Sequence, residues 1–243
     1  MVRLIVNSQT YRQTSTPSKT LATMDPYNQL FARQTRYRLD AEMIRDQALD
    51  ISGLLVRQIG GPSVRPYQPS GYYSQLNFPK RTYKHDKGNS QYRRGLYTHW
   101  QRTFLHPMLK AFDAPTREEC TAQRPRSNTP LQSLNLLNDP SFVEAARTFA
   151  AGILSSPAKA DHQRIRSAFE SVVLRQPTHR ELMILEQLLI ETREGYSGEP
   201  ERGLELVKVG LNQAGKQCPP AELGAWTAVT RALFNLHETI TRY

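Results

Sequence analysis

The chain holds only two cysteines in 243 residues, Cys120 and Cys218, placed 98 positions apart. They form no CxxC pair, no CxxCH haem-attachment motif and no zinc-ligand spacing, so no disulfide framework, metal site or haem site is spelled locally. A single bridge between them and two unrelated thiols stand as equal alternatives. Apolar residues are also sparse, at 38% of the chain, with a mean hydropathy of −0.59. A modest core and long polar connections are therefore expected. No apolar run is long enough to span a bilayer, and no secretory leader precedes the amphipathic opening Met-Val-Arg-Leu-Ile-Val. Read as written, the chain would stay soluble in the cytosol, as a C-terminal piece of a longer protein or as a short independent reading frame. No internal repeat is visible.

Acidic residues are outnumbered, with 22 Asp/Glu against 32 Lys/Arg and a formal net charge of +10. The excess is uneven. Residues 80–126 carry 11 Lys/Arg against 4 Asp/Glu, whereas residues 127–243 carry 12 against 13. A local positive field attracts polyanions or acidic proteins. A solvated basic surface accounts for the same numbers.

Helix signals frame the chain on both sides of this basic stretch. Residues 2–13 fit a short helix or a strand, and residues 14–20 read as a linker. Asp25-Pro26 predicts a helix start carrying the apolar pair Leu30 and Phe31, because Asp caps free N–H groups and Pro suits the first turn. From Asp40, the residues Ile44, Ala48, Ile51, Leu55 and Ile59 draw one stripe that Gly60-Gly61-Pro62 ends. Arg36, Arg38 and Arg45 around it are expected at the surface. Thr129-Pro130-Leu131-Gln132 spells a capping box, with Leu131, Leu134 and Leu137 on the apolar face of the helix it opens. Asp139-Pro140 opens the next, striped by Phe142, Val143, Ala146, Phe149, Ala150 and Ile153. Ile165, Ala168, Phe169, Val172 and Val173 mark another. Thr178 with Glu181 makes a second capping box, for a helix broken by Gly195 and Gly198. A short helix follows over 201–209, and Pro219-Pro220 opens the last, with Leu223, Trp226, Val229, Leu233, Leu236 and Ile240.

The expected class is therefore mainly α. We read a bundle-like helical domain with a long, irregular, basic central segment that admits one or two short strands. The parts are N-terminal helices over 1–60, the irregular segment over 61–128 and a helical portion over 129–243, forming one compact domain.

The central segment holds the candidate chemistry. Tyr67, Tyr72, Tyr73 and Tyr83 lie among Arg65, Lys80, Arg81 and Lys84. Such a mixture stacks bases or sugar rings; equally, tyrosines pin a long loop to a core, which is the reading we favour. Gly95 to Trp100 leans towards a strand. Residues 101–128 look irregular, with prolines at 107, 115 and 125, yet Phe104, Leu105, Met108, Leu109 and Phe112 argue against disorder. Asp113, Cys120, Arg124, Arg126, Asn128 and Thr129 gather just before a proline-started helix. Free N–H groups at such an end suit a carboxylate, sulfate or phosphate, and two arginines would clamp it. The plainer alternative has Asp113 paired with an arginine to fasten the loop and Cys120 buried as a small hydrophobe. Arg93, Arg94 and Arg102 around Trp100 form a candidate basic-aromatic surface. Asp86, Asp113 and Glu118 are the acids that a carbohydrate-active enzyme would bring together. The histidines fall at no metal-ligand spacing, so no metal is expected.

Five phrases carry a resemblance. They are RLIVNSQTYRQTS (Arg3 to Ser15), RLDAEMIRD (Arg38 to Asp46), YRRGLYTHWQRT (Tyr92 to Thr103), FDAPTREECTAQRPRSNTPLQSLNLLNDPSFVEAAR (Phe112 to Arg147) and AWTAVTRALFNLHETITR (Ala225 to Arg242). In this order they resemble the C-terminal planctomycete-specific domain of large planctomycete proteins that often carry a cytochrome-c-like module upstream. The resemblance implies a mostly helical, extracytoplasmic domain whose partner is a protein or the upstream module. It places any haem on that module and supplies no catalytic residues. Read as written, this chain is expected to depart from the pattern in signal peptide and upstream domain, and it holds no CxxCH. The expected function is a non-catalytic interaction or scaffold domain. The alternatives are a binder of anionic polymers, sulfated glycan before nucleic acid, through residues 80–126, and a carbohydrate-active enzyme.

Overall fold

The computed structural model describes every residue except 76–81, 102, 103, 158, 159, 214, 216 and 243. It is mainly helical. Its described residues fall into two compact units, one of residues 1–39 with 237–243 and one of residues 40–236. The boundaries expected at 60 and 128 lie inside the second unit.

In the first unit, α1 (Val2–Val6) and α2 (Lys19–Met24) bury none of their residues. Ser18 starts α2 by accepting a hydrogen bond from the Leu21 N–H at 3.2 Å. The helix expected from Asp25-Pro26 is absent. Asp25 instead follows α2, and its buried carboxylate accepts the N–H groups of Gln29 and Leu30, both at 2.8 Å. Those bonds hold its pKa below the usual value. Asn28 and Phe31 adopt left-handed φ angles of 54° and 52°, which a helix cannot contain. Leu30 and Phe31 are exposed. The unit closes where β1 (Tyr37–Arg38) pairs antiparallel with β2 (Thr241–Arg242).

The second unit begins with α3 (Ala41–Ile51), which is shorter than its apolar stripe. Gly53 turns left-handed at φ 75°, and the N–H groups of Leu54 and Leu55 fold back onto the Leu49 carbonyl. Ile59 is thereby left 88% exposed. Two isolated parallel bridges, Val56 with Arg93 and Val64 with Thr98, organise the segment that follows. The strand expected over Gly95 to Trp100 is a 3-10 turn, Gly95–Tyr97. Gly95 is required there, because a Cβ would lie 2.8 Å from the Glu42 Cα on α3. A helix, α4 (Pro107–Ala111), interrupts the stretch read as irregular.

The framework is α5 (Pro130–Asn138), α6 (Pro140–Leu154), α7 (Asp161–Val173), α8 (His179–Gly198), α9 (Pro200–Val207) and α10 (Pro220–Phe234). Helix α10 packs against α6, α8 and α9, while α3 packs against α6. Ala145, Ala146 and Ala150 on α6 are wholly buried. Side chains this small let α10 approach closely enough for Thr230 Oγ1 to donate to the Ala146 carbonyl at 2.9 Å. Two start signals form as read: Asp139 accepts the Ser141 N–H at 2.8 Å, and the Thr178–Glu181 capping box is complete. The Thr129–Gln132 box does not form, since Thr129 makes no side-chain cap. The face of α5 is also rotated from expectation. Leu131 and Leu134 are exposed, while Gln132 and Leu136 are buried.

Candidate functional site

The predicted pocket becomes a clamped surface loop. Asp113 sits at a left-handed φ of 60°. Its carboxylate accepts the Ser127 N–H at 2.6 Å and the Ser127 hydroxyl at 2.9 and 2.8 Å. This joins the two ends of residues 113–127. The buried amide of Gln132 reaches the Ser127 carbonyl at 3.3 Å and the Ser127 hydroxyl at 3.2 Å, which is why it does not serve the Thr129 cap. Near its start, Trp100 Nε1 donates to the Thr116 carbonyl at 3.1 Å. The Arg117 guanidinium lies 3.7 Å from the centre of the Trp100 ring, a cation–π contact. Further on, Arg124 forms a two-pronged pair with Glu42 of α3, at 2.7 and 3.2 Å, with Asp40 at 3.6 Å.

The predicted residues therefore divide. Asp113 pairs with a serine rather than an arginine. Arg124 is committed to carboxylates of α3. Cys120 is an exposed free thiol, not a buried hydrophobe, and Cys218 is free as well. Cys120 and Arg124 do share a cavity of about 380 Å³ with Pro115, Arg117, Glu118, Glu119 and Thr121. Arg126, Asn128 and Thr129 are exposed, and the first two have interaction partners of their own.

The basic-aromatic group does not form one surface. Arg93 is 4% exposed. Its guanidinium donates to the carbonyls of Pro62 at 3.0 Å, Gln58 at 3.2 Å and Gly60, and stacks over Tyr97 at 3.9 Å. Arg94 is exposed, Trp100 is half-buried, and Arg102 lies outside the described residues, as do Lys80 and Arg81. The acids are held separately: Asp113 on Ser127, Asp86 on the Arg65 N–H at 2.8 Å, and Glu118 exposed on the loop.

A buried polar cluster, unanticipated from the sequence, lies elsewhere in the second unit. Glu144, on α6 and 1% exposed, accepts the hydroxyls of Tyr67 at 2.9 Å and Tyr92 at 2.8 Å and the Asn212 N–H at 2.5 Å. Tyr67 in turn accepts the Leu211 N–H at 2.9 Å. Burial and the adjacent carboxylate push both phenols above their ordinary pKa, so they remain donors. One turn along α6, Arg147 donates to the Asn212 carbonyl at 2.7 Å. Arg45, expected at the surface, is 1% exposed. It donates to the carbonyls of Arg93 and Gln91, both at 2.7 Å. His106 is also buried, with Nε2 2.7 Å from the Tyr67 carbonyl. Burial lowers its pKa to about 4. Together these groups meet the backbone polar groups of the irregular segment, which pairs with few neighbours of its own. The tyrosines thus pin the loop, as favoured from sequence. One signal was present: Glu144 and Arg147 are the sole charges in an otherwise small and apolar run, 142–151, so a helix buried on every side carries them inward.

Residues 1–189 match the PSD1 family, described as protein of unknown function (DUF1553). That match ends within α8, ahead of α9 and α10. No curated protein and no solved structure matches the chain. The family match covers most of the chain, including four of the five resembling phrases. The chain therefore belongs to the DUF1553 family, the planctomycete-specific domain family associated with cytochrome-linked proteins.

Proposed function

We propose that this chain is a non-catalytic interaction domain that presents residues 113–127 to a protein partner, with the cytochrome-linked module of its family as the first candidate. One observation supports the reading. Residues 116–123 are all exposed, yet the loop is fixed at its ends by Asp113, near its entrance by Trp100 and near its exit by Arg124. Ordering a free backbone costs about 1–2 kcal/mol per residue. A loop anchored beforehand avoids much of that cost on binding, and loops held by a rigid scaffold are common recognition elements. The loop mixes Arg117 with Glu118 and Glu119, and Arg124 is already neutralised. This pattern suits a protein surface of mixed charge better than a polyanion.

The test uses the intact chain and a haem-bearing module of a family member, purified separately and titrated by calorimetry. Replacing residues 117–121 with glycine and serine should abolish binding while leaving the melting temperature in place. Equal affinity after replacement would remove the proposal. Binding to heparin that weakens steeply with salt, without binding to the module, would favour the anionic-polymer alternative.

A further inference from the structure

We infer that a groove between α3, α6 and α7, remote in sequence from the presented loop, binds a single uncharged sugar ring. The cavity has a volume of about 360 Å³, at the small end of small-molecule sites. Its floor is apolar, formed by Phe149, Ile153 and Ala168 among others. The half-buried Phe149 is offset-stacked on the buried Phe234, with centroids 6.1 Å apart and planes at 7°. That fixes its ring as a flat platform. Around the floor stand five Ser/Thr hydroxyls, those of Ser156 and Ser167 among them, with one guanidinium, Arg164, and one carboxylate, Asp50.

The charges decide the ligand class. Arg164 is the sole cation among the lining residues and Asp50 the sole anion. Asp50 is paired with Arg57 at 2.6 Å, and Arg164 donates to the Leu154 carbonyl at 3.4 Å. With Asp50 spent on Arg57, no free carboxylate invites a cation, and the single guanidinium is already turned to a main-chain carbonyl. Sugar hydroxyls both donate and accept, so they satisfy the guanidinium, the carboxylate and the serine hydroxyls together. The apolar face of the ring covers Phe149. A separate observation concerns the mouth. Gly152 lies in helical backbone on α6, and a Cβ built there meets nothing within 4 Å. Packing does not require glycine at this place, and glycine weakens a helix relative to alanine. Its effect is to leave the groove open.

Methyl glucoside, methyl galactoside and N-acetylglucosamine are each titrated into the intact chain, with amide chemical shifts followed by NMR. Inorganic phosphate and acetate serve as controls. At least one sugar should give saturable shifts on α3, α6 and α7. Gly152→Phe should weaken its binding by more than about tenfold with the melting temperature maintained, whereas Gly152→Ala should leave affinity within about twofold. Three outcomes overturn the inference: no sugar binds, phosphate or acetate saturates the same amides in preference to sugar, or Gly152→Phe leaves sugar affinity unchanged. Replacing residues 117–121 should leave sugar binding intact, so this result and the partner-binding result stand or fall separately.

Discussion

Replacing Glu144 with alanine should cost far more stability than removing either phenol that binds it. The carboxylate accepts from Tyr67, Tyr92 and the Asn212 N–H, and is itself 1% exposed. A hydrogen bond to a charged group contributes about 1.5–3 kcal/mol, and a buried donor left without a partner costs about 1–3 kcal/mol. Glu144→Ala strands three donors, so a loss of roughly 5 kcal/mol is expected. That is comparable with the whole stability of many domains, about 5–15 kcal/mol. Tyr92→Phe removes one donor and leaves Oε1 bonded to Asn212, for about 1–2 kcal/mol. Tyr67→Phe also strands the Leu211 N–H, and should cost about 2 kcal/mol. Glu144→Gln keeps one acceptor oxygen and should fall between the extremes. The assay is equilibrium unfolding in urea, followed by circular dichroism and tryptophan fluorescence together. Glu144→Ala within about 1 kcal/mol of the parent chain, or no costlier than Tyr92→Phe, would refute the reasoning.

Gly210 has φ 83°, and a Cβ there would lie 2.1 Å from the Glu144 Cδ. Gly210→Ala should therefore cost about 2–4 kcal/mol, against about 1 kcal/mol for Gly60→Ala, where φ is 79° and nothing lies within 4 Å; urea midpoints compare the two. His106 has its folded pKa lowered from 6.5 to about 4. The unfolded chain thus takes up a proton first as pH falls, so stability on the order of 3 kcal/mol is present above about 6.5 and lost between there and about 4. His106→Phe should flatten that part of the stability–pH curve, and an unaltered slope would contradict the assignment. Arg124→Ala releases the loop from Glu42, a part-buried pair worth about 1–2 kcal/mol. Trypsin should then cleave after Arg117 about tenfold faster, and an unchanged rate would mean that the anchor does not hold the loop.

Sequence reasoning succeeded where a signal and its partner lie within a few residues. Asp139 and Thr178 cap the helices they precede through N–H groups only two and three residues on. Thr129 carries the same local spelling, but Gln132 is drawn to Ser127, and Asp113 lies nineteen positions before that glutamine. The rotation of α5, with Leu131 and Leu134 outward, accompanies this capture of Gln132 inside. Helix α3 illustrates a different failure. Its stripe continues through Leu55 and Ile59, but the left-handed turn at Gly53 is a stronger local instruction than periodicity. Arg45 was misplaced because its partners are the carbonyls of Gln91 and Arg93, 46 and 48 positions away. A side chain that serves irregular backbone leaves no periodic trace. The candidate loop was legible as a location. Its internal pairing was not, because Glu42, Trp100 and Ser127 reach it from three separate parts of the chain.

The ribbon joining Tyr37–Arg38 to Thr241–Arg242 has a consequence for biosynthesis. The contact between Arg242 and Tyr37 bridges 205 positions, so the opening segment emerges from the ribosome long before its companion exists. Closing so large a ring by chance is entropically unfavourable, and intermediate residues must condense before the ends can meet. The pairing of residues 37–38 with residues 241–242 is thus a late step of maturation, whereas the aliphatic side chains of α1 stay exposed in the finished fold.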